Sequence, residues 1–188
     1  MRTAMRTAEQ TTMRAEIRAE VLSIEPLDEL ERTFQREVIK WIDSGAELCR
    51  RQKPDIPPVH LISYFVLVDG DYILLVDHIN AELWLPTGGH VEPDEHPRDT
   101  VTREASEELS IVGEFLQPAP IFVTITETVG KTAGHTDISL WYLLQGCRSE
   151  KLVYDATEFK SVRWFHRDQI PLNRTDKHMD RFLQKLYL

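Results

Sequence analysis

Residues 89–111 read GHVEPDEHPRDTVTREASEELSI, and the spacing of the charged residues in this stretch decides the fold. Five residues separate Gly89 from Glu95, and seven more separate Glu95 from the adjacent pair Arg103 and Glu104. A run of carboxylates is usually a solvated helix face, and charge alone would favour that interpretation here. The regular spacing indicates a motif that carries chemistry.

A helix over residues 97–109 is predicted to carry three glutamates of this motif, because proline at position 97 suits a first helical turn. Glu104, Glu107 and Glu108 stand at i, i+3 and i+4, so they project from neighbouring turns. An apolar stripe recurs at four-residue steps: Pro97, Val101, Ala105 and Leu109. At 100° per residue the glutamates centre roughly 90° from this stripe, which places them at the edge of the packing surface, where a cleft would lie.

The stretch resembles the Nudix box, which runs G, five residues, E, seven residues, REU, one residue, EE, one residue, GU, with U bulky and apolar. The matching positions are Gly89, Glu95, Arg103, Glu104, Glu107, Glu108 and Ile111. Fixed identities at this spacing arise by chance with a probability on the order of 10⁻⁴ or less at ordinary residue frequencies. Two positions depart from the box, since Ala105 is smaller than the usual aliphatic residue and Ser110 replaces glycine.

The departure at Ser110 concerns the end of the helix. Glycine adopts the left-handed cap conformation easily, whereas a serine forced into it costs about 1 kcal/mol. The alternative is that the chain turns at Gly113 instead.

The resemblance implies the Nudix fold, an α+β architecture with a mixed β-sheet sandwiched by helices. It implies a Mg²⁺-dependent hydrolase (Mn²⁺ being the alternative ion) whose metal is held by Glu104, Glu107, Glu108 and a backbone carbonyl at Gly89. In the family, the positions of Arg103 and Glu95 orient the loop and the helix. Water would attack phosphorus and cleave the diphosphate linkage of a nucleoside diphosphate joined to another moiety. Without the box, the glycine pair would indicate only a tight turn.

A carboxylate must accept the proton of the attacking water. Glu107 and Glu108 are candidates, but family members also use a glutamate from a later loop. Glu158 is preferred over Glu127 for that role, because it precedes a strand where the family often keeps an acid. For both Glu158 and Glu127, an ordinary surface glutamate with no catalytic role is an equally good interpretation.

Substrate contacts are expected outside the box. His90 directly follows the glycines and could reach phosphates, although loop histidines usually have no such role. Trp84 is a candidate for stacking on a base, although strand aromatics are usually core residues. His135 and Asp137 alternate along a predicted strand and share a face, so they contact a substrate or form a hydrogen-bonded pair.

The chain divides into residues 1–57, an N-terminal helical extension with a proline-rich linker, and residues 58–188, the predicted hydrolase domain. One apolar stripe indicates helix up to about residue 48: Leu27, Leu30, Phe34, Val38, Trp41 and Ile42. The sequence leaves three alternative roles for this extension: it packs on the main domain, it serves as a dimerisation arm, or it covers the site.

Further elements follow from local patterns. Asp69-Gly70-Asp71 between apolar runs predicts a β-hairpin. Strands are expected over residues 112–128, 138–144 and 161–166, and a closing helix over residues 175–188.

Composition excludes several classes of protein. The net charge is −9, from 22 basic and 31 acidic residues, which argues against binding a nucleic-acid polymer. No apolar stretch approaches the ~20 residues that span a bilayer, so no membrane association is expected. The two cysteines are far apart in sequence, which is typical of reduced thiols in a cytoplasm. The expected partner is a small anionic, nucleotide-like substrate, with a homodimer as one option for the arm.

Two other functions fit the same fold. A catalytically silent, nucleotide-sensing protein would often lack box glutamates, and here each is present. An isopentenyl diphosphate isomerase relies on a cleft cysteine, but neither Cys49 nor Cys147 lies in a comparable motif.

Overall fold

A computed structural model describes residues 2–52, 56–128 and 134–188, with side chains from residue 10 onward. The helices are α1 (Arg2–Ser23), α2 (Glu29–Asp43), α3 (Pro97–Leu109) and α4 (Met179–Leu186). The strands are β1 (Val59–Asp69), β2 (Tyr72–His78), β3 (Trp84–Leu85), β4 (Thr87–His90), β5 (Phe122–Glu127), β6 (Thr136–Gln145) and β7 (Phe159–His166).

The strands form one mixed sheet in the order β3-β2-β1-β6-β5, with β4 also paired to β1 and β7 to β2. Strands β1 and β6 run parallel, from Val59 opposite Thr136 to Val68 opposite Gln145, and the other pairs are antiparallel. The predicted α+β class with a mixed sheet is therefore confirmed. The hairpin at Gly70 is also present, with Asp69 opposite Tyr72.

Apolar side chains on the two faces of the sheet form two clusters. Leu61, Phe65 and Leu67 of β1 belong to one cluster and Val66 to the other, as the two-residue period of a strand requires. The first cluster packs under α1, α2 and α3, and the second packs under α4. The sheet is therefore covered by helices on both faces.

The N-terminal extension is helical, as predicted, but it is divided into two helices, and the second ends at Asp43 rather than near residue 48. Pro26 lies in the break between them, and Asp28 begins α2 by accepting a hydrogen bond from the Glu31 amide at 2.8 Å. Ile17, Val21, Val38 and Ile42 of this extension are buried in the first cluster. These contacts show one of the three predicted roles, packing on the main domain.

Four predicted boundaries are corrected. The strand expected over residues 112–128 is limited to β5, because Pro118 and Pro120 cannot donate to a sheet. Strands β6 and β7 each begin two residues before the predicted start. The closing helix begins at Met179 rather than at residue 175, and a 3₁₀ turn over residues 172–174 precedes it. Within the parts of the chain that the structure describes, no helix has the length and apolar character needed to cross a bilayer.

Ser110 ends α3 in the left-handed conformation, with φ 54° and ψ 37°. Its amide donates to the Ser106 carbonyl at 3.2 Å, and the Ile111 amide donates to the Ala105 carbonyl at 3.2 Å. The cap is therefore the one that glycine would form, built with a residue that is strained there.

Replacing Ser110 with glycine is expected to raise the free energy of unfolding by about 0.5–1 kcal/mol, because the relief of strain exceeds the added chain entropy of glycine. This corresponds to a rise in Tm of about 2 °C for a chain of this size. Ser106→Gly, at an exposed position inside α3, is the matched control and should lower stability by about 0.5 kcal/mol. Equal effects of the two substitutions in urea denaturation would contradict the strained cap.

Candidate active site

A cleft of about 910 Å³ opens beside α3. Its walls come from segments far apart in sequence: the loop after α2, the end of β2, strand β4, helix α3 and the loop before β7. Of the predicted site residues, it brings together Gly89, His90, Arg103, Glu104, Glu107, Glu108 and Glu158. The three glutamates of α3 therefore line the cleft, as their angle to the apolar stripe of the helix predicts.

The three glutamates of α3 differ in burial. Glu108 is only 6% exposed, and one of its carboxylate oxygens accepts a hydrogen bond from the Gly88 amide at 3.1 Å. The Glu104 side chain is 14% exposed, whereas that of Glu107 is 61% exposed. The pair Glu104 and Glu108 therefore concentrates negative charge out of water.

Burial and crowding shift the acidity of this pair. Burial raises the pKa of Glu108 to about 9, and the nearby carboxylates of Glu104 and Glu158 add to the shift. Burial also raises the pKa of Glu104, against the opposing charge of Arg103. The negative charge of the carboxylates in this site thus exceeds the positive charge of the protein's own cations there.

Arg103 organises the acidic wall. Its Nε and Nη2 donate to the two oxygens of Glu95 at 2.9 and 3.0 Å, and Nη1 donates to Glu104 at 2.7 Å. Further bonds reach Glu107 at 3.3 Å and the His90 carbonyl at 3.2 Å. Burial alone would raise the pKa of Glu95, but the hydrogen bonds from Arg103 and Thr100 outweigh it and lower the value. This fork connects the loop before α3 to the glutamates.

The two glycines of β4 lie where side chains have no room. A Cβ atom at Gly88 would overlap the Ser63 carbonyl, and the φ of 144° also favours glycine. A Cβ at Gly89 would overlap the carboxylate of Glu104. The backbone of Gly89 therefore approaches the acidic residues as closely as a backbone can.

Two predicted residues lie elsewhere. The Trp84 ring packs against Phe165, with ring centres 4.9 Å apart, and belongs to the second apolar cluster, so the structure does not bring it into the cleft. Glu127 is exposed at the end of β5, and Glu158 is the one of the two candidate later glutamates that lines the cleft.

His135 and Asp137 lie beside the cleft, in contact with each other. His135 Nε2 is 3.2 Å from Asp137 Oδ1. Asp137 lines a cavity of about 130 Å³ that shares His90, Gly89 and Glu108 with the cleft. Burial raises the pKa of Asp137 to about 6, opposed by the charges of His135 and Arg50.

Three residues of this region have no counterpart in the predicted site. Arg50 and His78 line the cleft, and His60 contacts Asp137 and His135. Arg50 follows α2 in a loop whose path depends on tertiary packing, so sequence pattern gives no sign of it. The sequence from His60 to Val68 predicts only a strand. A histidine at the start of an apolar strand is unusual, and it is the one signal in the sequence that points to His60.

A family model described as the NUDIX domain matches residues 59–186. No curated protein sequence matches the chain.

The solved structures share the fold at low sequence identity. A NUDIX-family hydrolase from Clostridium perfringens has 21% identity and a TM-score of 0.53, covering 68% of this chain and 95% of its own. A MutT NUDIX hydrolase from Burkholderia pseudomallei has 21% identity and a TM-score of 0.53, covering 69% and 98%. The dihydroneopterin triphosphate pyrophosphohydrolase of E. coli has 16% identity and a TM-score of 0.53, covering 75% and 97%.

Proposed function

This chain belongs to the NUDIX hydrolase family, and from that premise we propose that it is a Mg²⁺-dependent enzyme that hydrolyses the diphosphate linkage of a nucleoside diphosphate joined to another moiety. The observation that carries the proposal is the convergence of Glu104, Glu107, Glu108 and Glu158 on one cleft. The cleft volume of about 910 Å³ lies within the range of small-molecule sites, roughly 300–1,000 Å³.

The residues present fit a hard divalent cation. Glu104 and Glu108 hold carboxylates out of water with raised pKa values, which a bound cation would lower again. The Gly89 backbone lies against the Glu104 carboxylate, and its carbonyl is the backbone oxygen donor that we propose for this acidic group. Glu104, Glu107, Glu108 and the Gly89 carbonyl would hold the ion, and oxygen donors of this kind suit Mg²⁺, with Mn²⁺ as the alternative.

A bound divalent ion would polarise the phosphoryl oxygens and offset the charge that develops at them. Glu158 takes the proton of the attacking water in this proposal, because it lies in the cleft and is close enough to raise the pKa of Glu108. Arg103 acts as a positioning residue, since its fork fixes Glu104 and Glu95. Arg50 also lines the cleft, and its positive charge would attract an anionic substrate.

The N-terminal extension supplies part of the cleft wall. We propose that residues 58–188 form the hydrolase domain and that residues 1–57 support it, because the loop after α2 carries Arg50 and Arg51 into the cleft. The extension is thus part of the site's surroundings as well as of the core.

The decisive experiment measures release of phosphate or nucleoside monophosphate from a panel of nucleoside triphosphates, nucleotide sugars and dinucleoside polyphosphates. It is run with Mg²⁺ and with EDTA, on wild type and on Glu107→Gln and Glu108→Gln. Turnover of a panel member that disappears with EDTA and drops by orders of magnitude in both variants supports the proposal. Tight binding of a panel member without metal-dependent turnover overturns it and indicates a nucleotide-sensing protein.

The adjacent glycines should separate stability from activity. Gly89→Ala is expected to lower kcat/KM by on the order of 10-fold or more at limiting Mg²⁺, because the new Cβ displaces the Glu104 carboxylate, while Tm changes little. Gly88→Ala should instead lower Tm markedly, because its Cβ meets the rigid backbone of Ser63. Each variant is thus the control for the other in Mg²⁺ titrations and thermal melts. Similar losses of Tm in both would contradict this division.

A further inference from the structure

A second group of polar side chains lies beside the cleft, distinct from the glutamates of α3. One ligand atom from each of His60, His90, His135 and Asp137 lies within 4.8 Å of the others. We propose that these four residues bind a transition-metal ion of the Zn²⁺ class, at a site independent of the Mg²⁺ site and of the proposed hydrolysis.

The sheet places these side chains on one face. His60 on β1 is directly opposite Asp137 on the parallel strand β6, so their side chains point the same way. His90 on β4 is opposite Ile62, two residues after His60 and therefore on the same face. His135 precedes Asp137 by two residues. The ring centre of His60 lies 5.0 Å from the ring centre of His90 and 5.0 Å from that of His135.

The hydrogen bonding of His60 selects the ring nitrogen that faces the cluster. Its Nδ1 is 2.7 Å from the Pro57 carbonyl, which can only accept, so Nδ1 carries the proton. With the proton on Nδ1, Nε2 is the ring nitrogen left to bind a metal ion, and it lies 3.6 Å from Asp137 Oδ1. Metal-bound histidines are commonly oriented by just such a bond from the other ring nitrogen to a backbone carbonyl.

Asp137 supplies the anionic ligand. Its Oδ1 is buried and, among the residues that the structure describes, accepts no hydrogen bond, although His135 Nε2 lies 3.2 Å away. A cation between this oxygen and His60 Nε2 would be coordinated by both atoms.

The ligand set indicates which ion. Three imidazoles and one carboxylate suit Zn²⁺ and related ions, whereas Mg²⁺ prefers oxygen ligands. Bonds of about 2.0–2.1 Å in a tetrahedron place the ligand atoms about 3.4 Å apart. The spread of at most 4.8 Å therefore requires shifts that side-chain rotation supplies. Four protein ligands make a closed, structural site, which would hold β1, β4 and β6 together beside Gly89.

Arg50 competes with the metal in this cluster. Its Nη1 is 3.0 Å from His90 Nε2, and since a guanidinium only donates, that nitrogen accepts the bond. A cation bound by this cluster would be repelled by the guanidinium, whose charge also acts on Asp137. Removing Arg50 should therefore strengthen metal binding, a result that a merely structural histidine cluster would not produce.

The test titrates Co²⁺ and Zn²⁺ into the metal-free full chain. Visible absorption of Co²⁺ distinguishes four-coordinate from six-coordinate sites, and competition with Zn²⁺ gives the Kd. We expect one intense four-coordinate band that persists in the Glu104→Gln/Glu107→Gln/Glu108→Gln variant. His60→Asn and Asp137→Asn should each weaken binding by on the order of 100-fold or more, while Arg50→Met tightens it several-fold. His166→Asn, on the distant end of β7, is the matched control and should bind normally.

Two results would overturn the proposal. One is a weak six-coordinate spectrum in wild type, which decides the matter even where a histidine variant does not fold. The other is Co²⁺ binding that is lost in the triple glutamate variant but kept in His60→Asn, since the ion then lies at α3. Because neither readout involves substrate turnover, failure of the hydrolase proposal would leave this result unaffected.

Discussion

Replacing Glu108 with glutamine is expected to lower kcat by on the order of 10³-fold, because it removes a proposed metal ligand, while making the metal-free protein more stable. The stability gain follows from burial. The folded protein holds the Glu108 carboxyl at a pKa of about 9, against an ordinary value of 4.5. A raised carboxyl pKa means that the folded state disfavours the charged form, so wild type loses stability as pH rises from about 4.5 to about 9.

The gain should therefore depend on pH. In EDTA, Glu108→Gln and wild type should have similar Tm values at pH 5, and at pH 8 the variant should be more stable by on the order of 2 kcal/mol. Glu37→Gln, at an exposed position on α2, is the matched control and should alter neither kcat nor the pH dependence. A loss of kcat under 10-fold would show that Glu108 is not a metal ligand. Equal Tm values of the two proteins at pH 8 would show that the Glu108 carboxylate does not destabilise the metal-free protein.

Replacing Lys185 with methionine is expected to destabilise the protein by about 3–5 kcal/mol, because it leaves a buried charge without its cation. Glu31 is fully buried, and its Oε1 receives a hydrogen bond from the Lys185 ammonium at 2.7 Å. The amides of Leu27 and Val123 also donate to this carboxylate, at 2.7 and 3.3 Å. This one side chain thus ties α2 to both β5 and α4.

The expected loss corresponds to roughly 10 °C in Tm for a chain of this size. Lys160→Met, at an exposed position on β7, is the matched control and should change Tm little. Adding Glu31→Gln to Lys185→Met should recover much of the lost stability, because the buried carboxylate is then neutral. If Lys185→Met melts at the wild-type temperature, the hydrogen bonds from the backbone amides are enough to stabilise the buried Glu31 carboxylate.

The Nudix box allowed the central part of this site to be predicted from sequence because its information is local. Helical periodicity fixes the direction of Glu104, Glu107 and Glu108 relative to the apolar stripe, and the structure places all three in the cleft. The left-handed cap at Ser110 is equally local, since the chain must leave the helix there.

The rest depends on contacts between distant segments. The parallel pairing of β1 with β6 brings His60 against Asp137, 77 residues later, and no local pattern records that register. Arg50 reaches the cleft through a loop whose position depends on how α2 packs. Trp84 was a candidate on residue type alone, and its strand pairing with β2 carries it into the apolar cluster with Phe165.

The bond between Glu31 and Lys185 also sets a time order for the newborn chain. The two residues are 154 positions apart, and synthesis at roughly 5–20 residues per second separates them by roughly 8–30 s. During that interval the carboxylate of Glu31 has no partner in Lys185, and only backbone amides offset the cost of burying it. We therefore expect the helical arm, although translated first, to become fully stable on the sheet only when α4 has emerged.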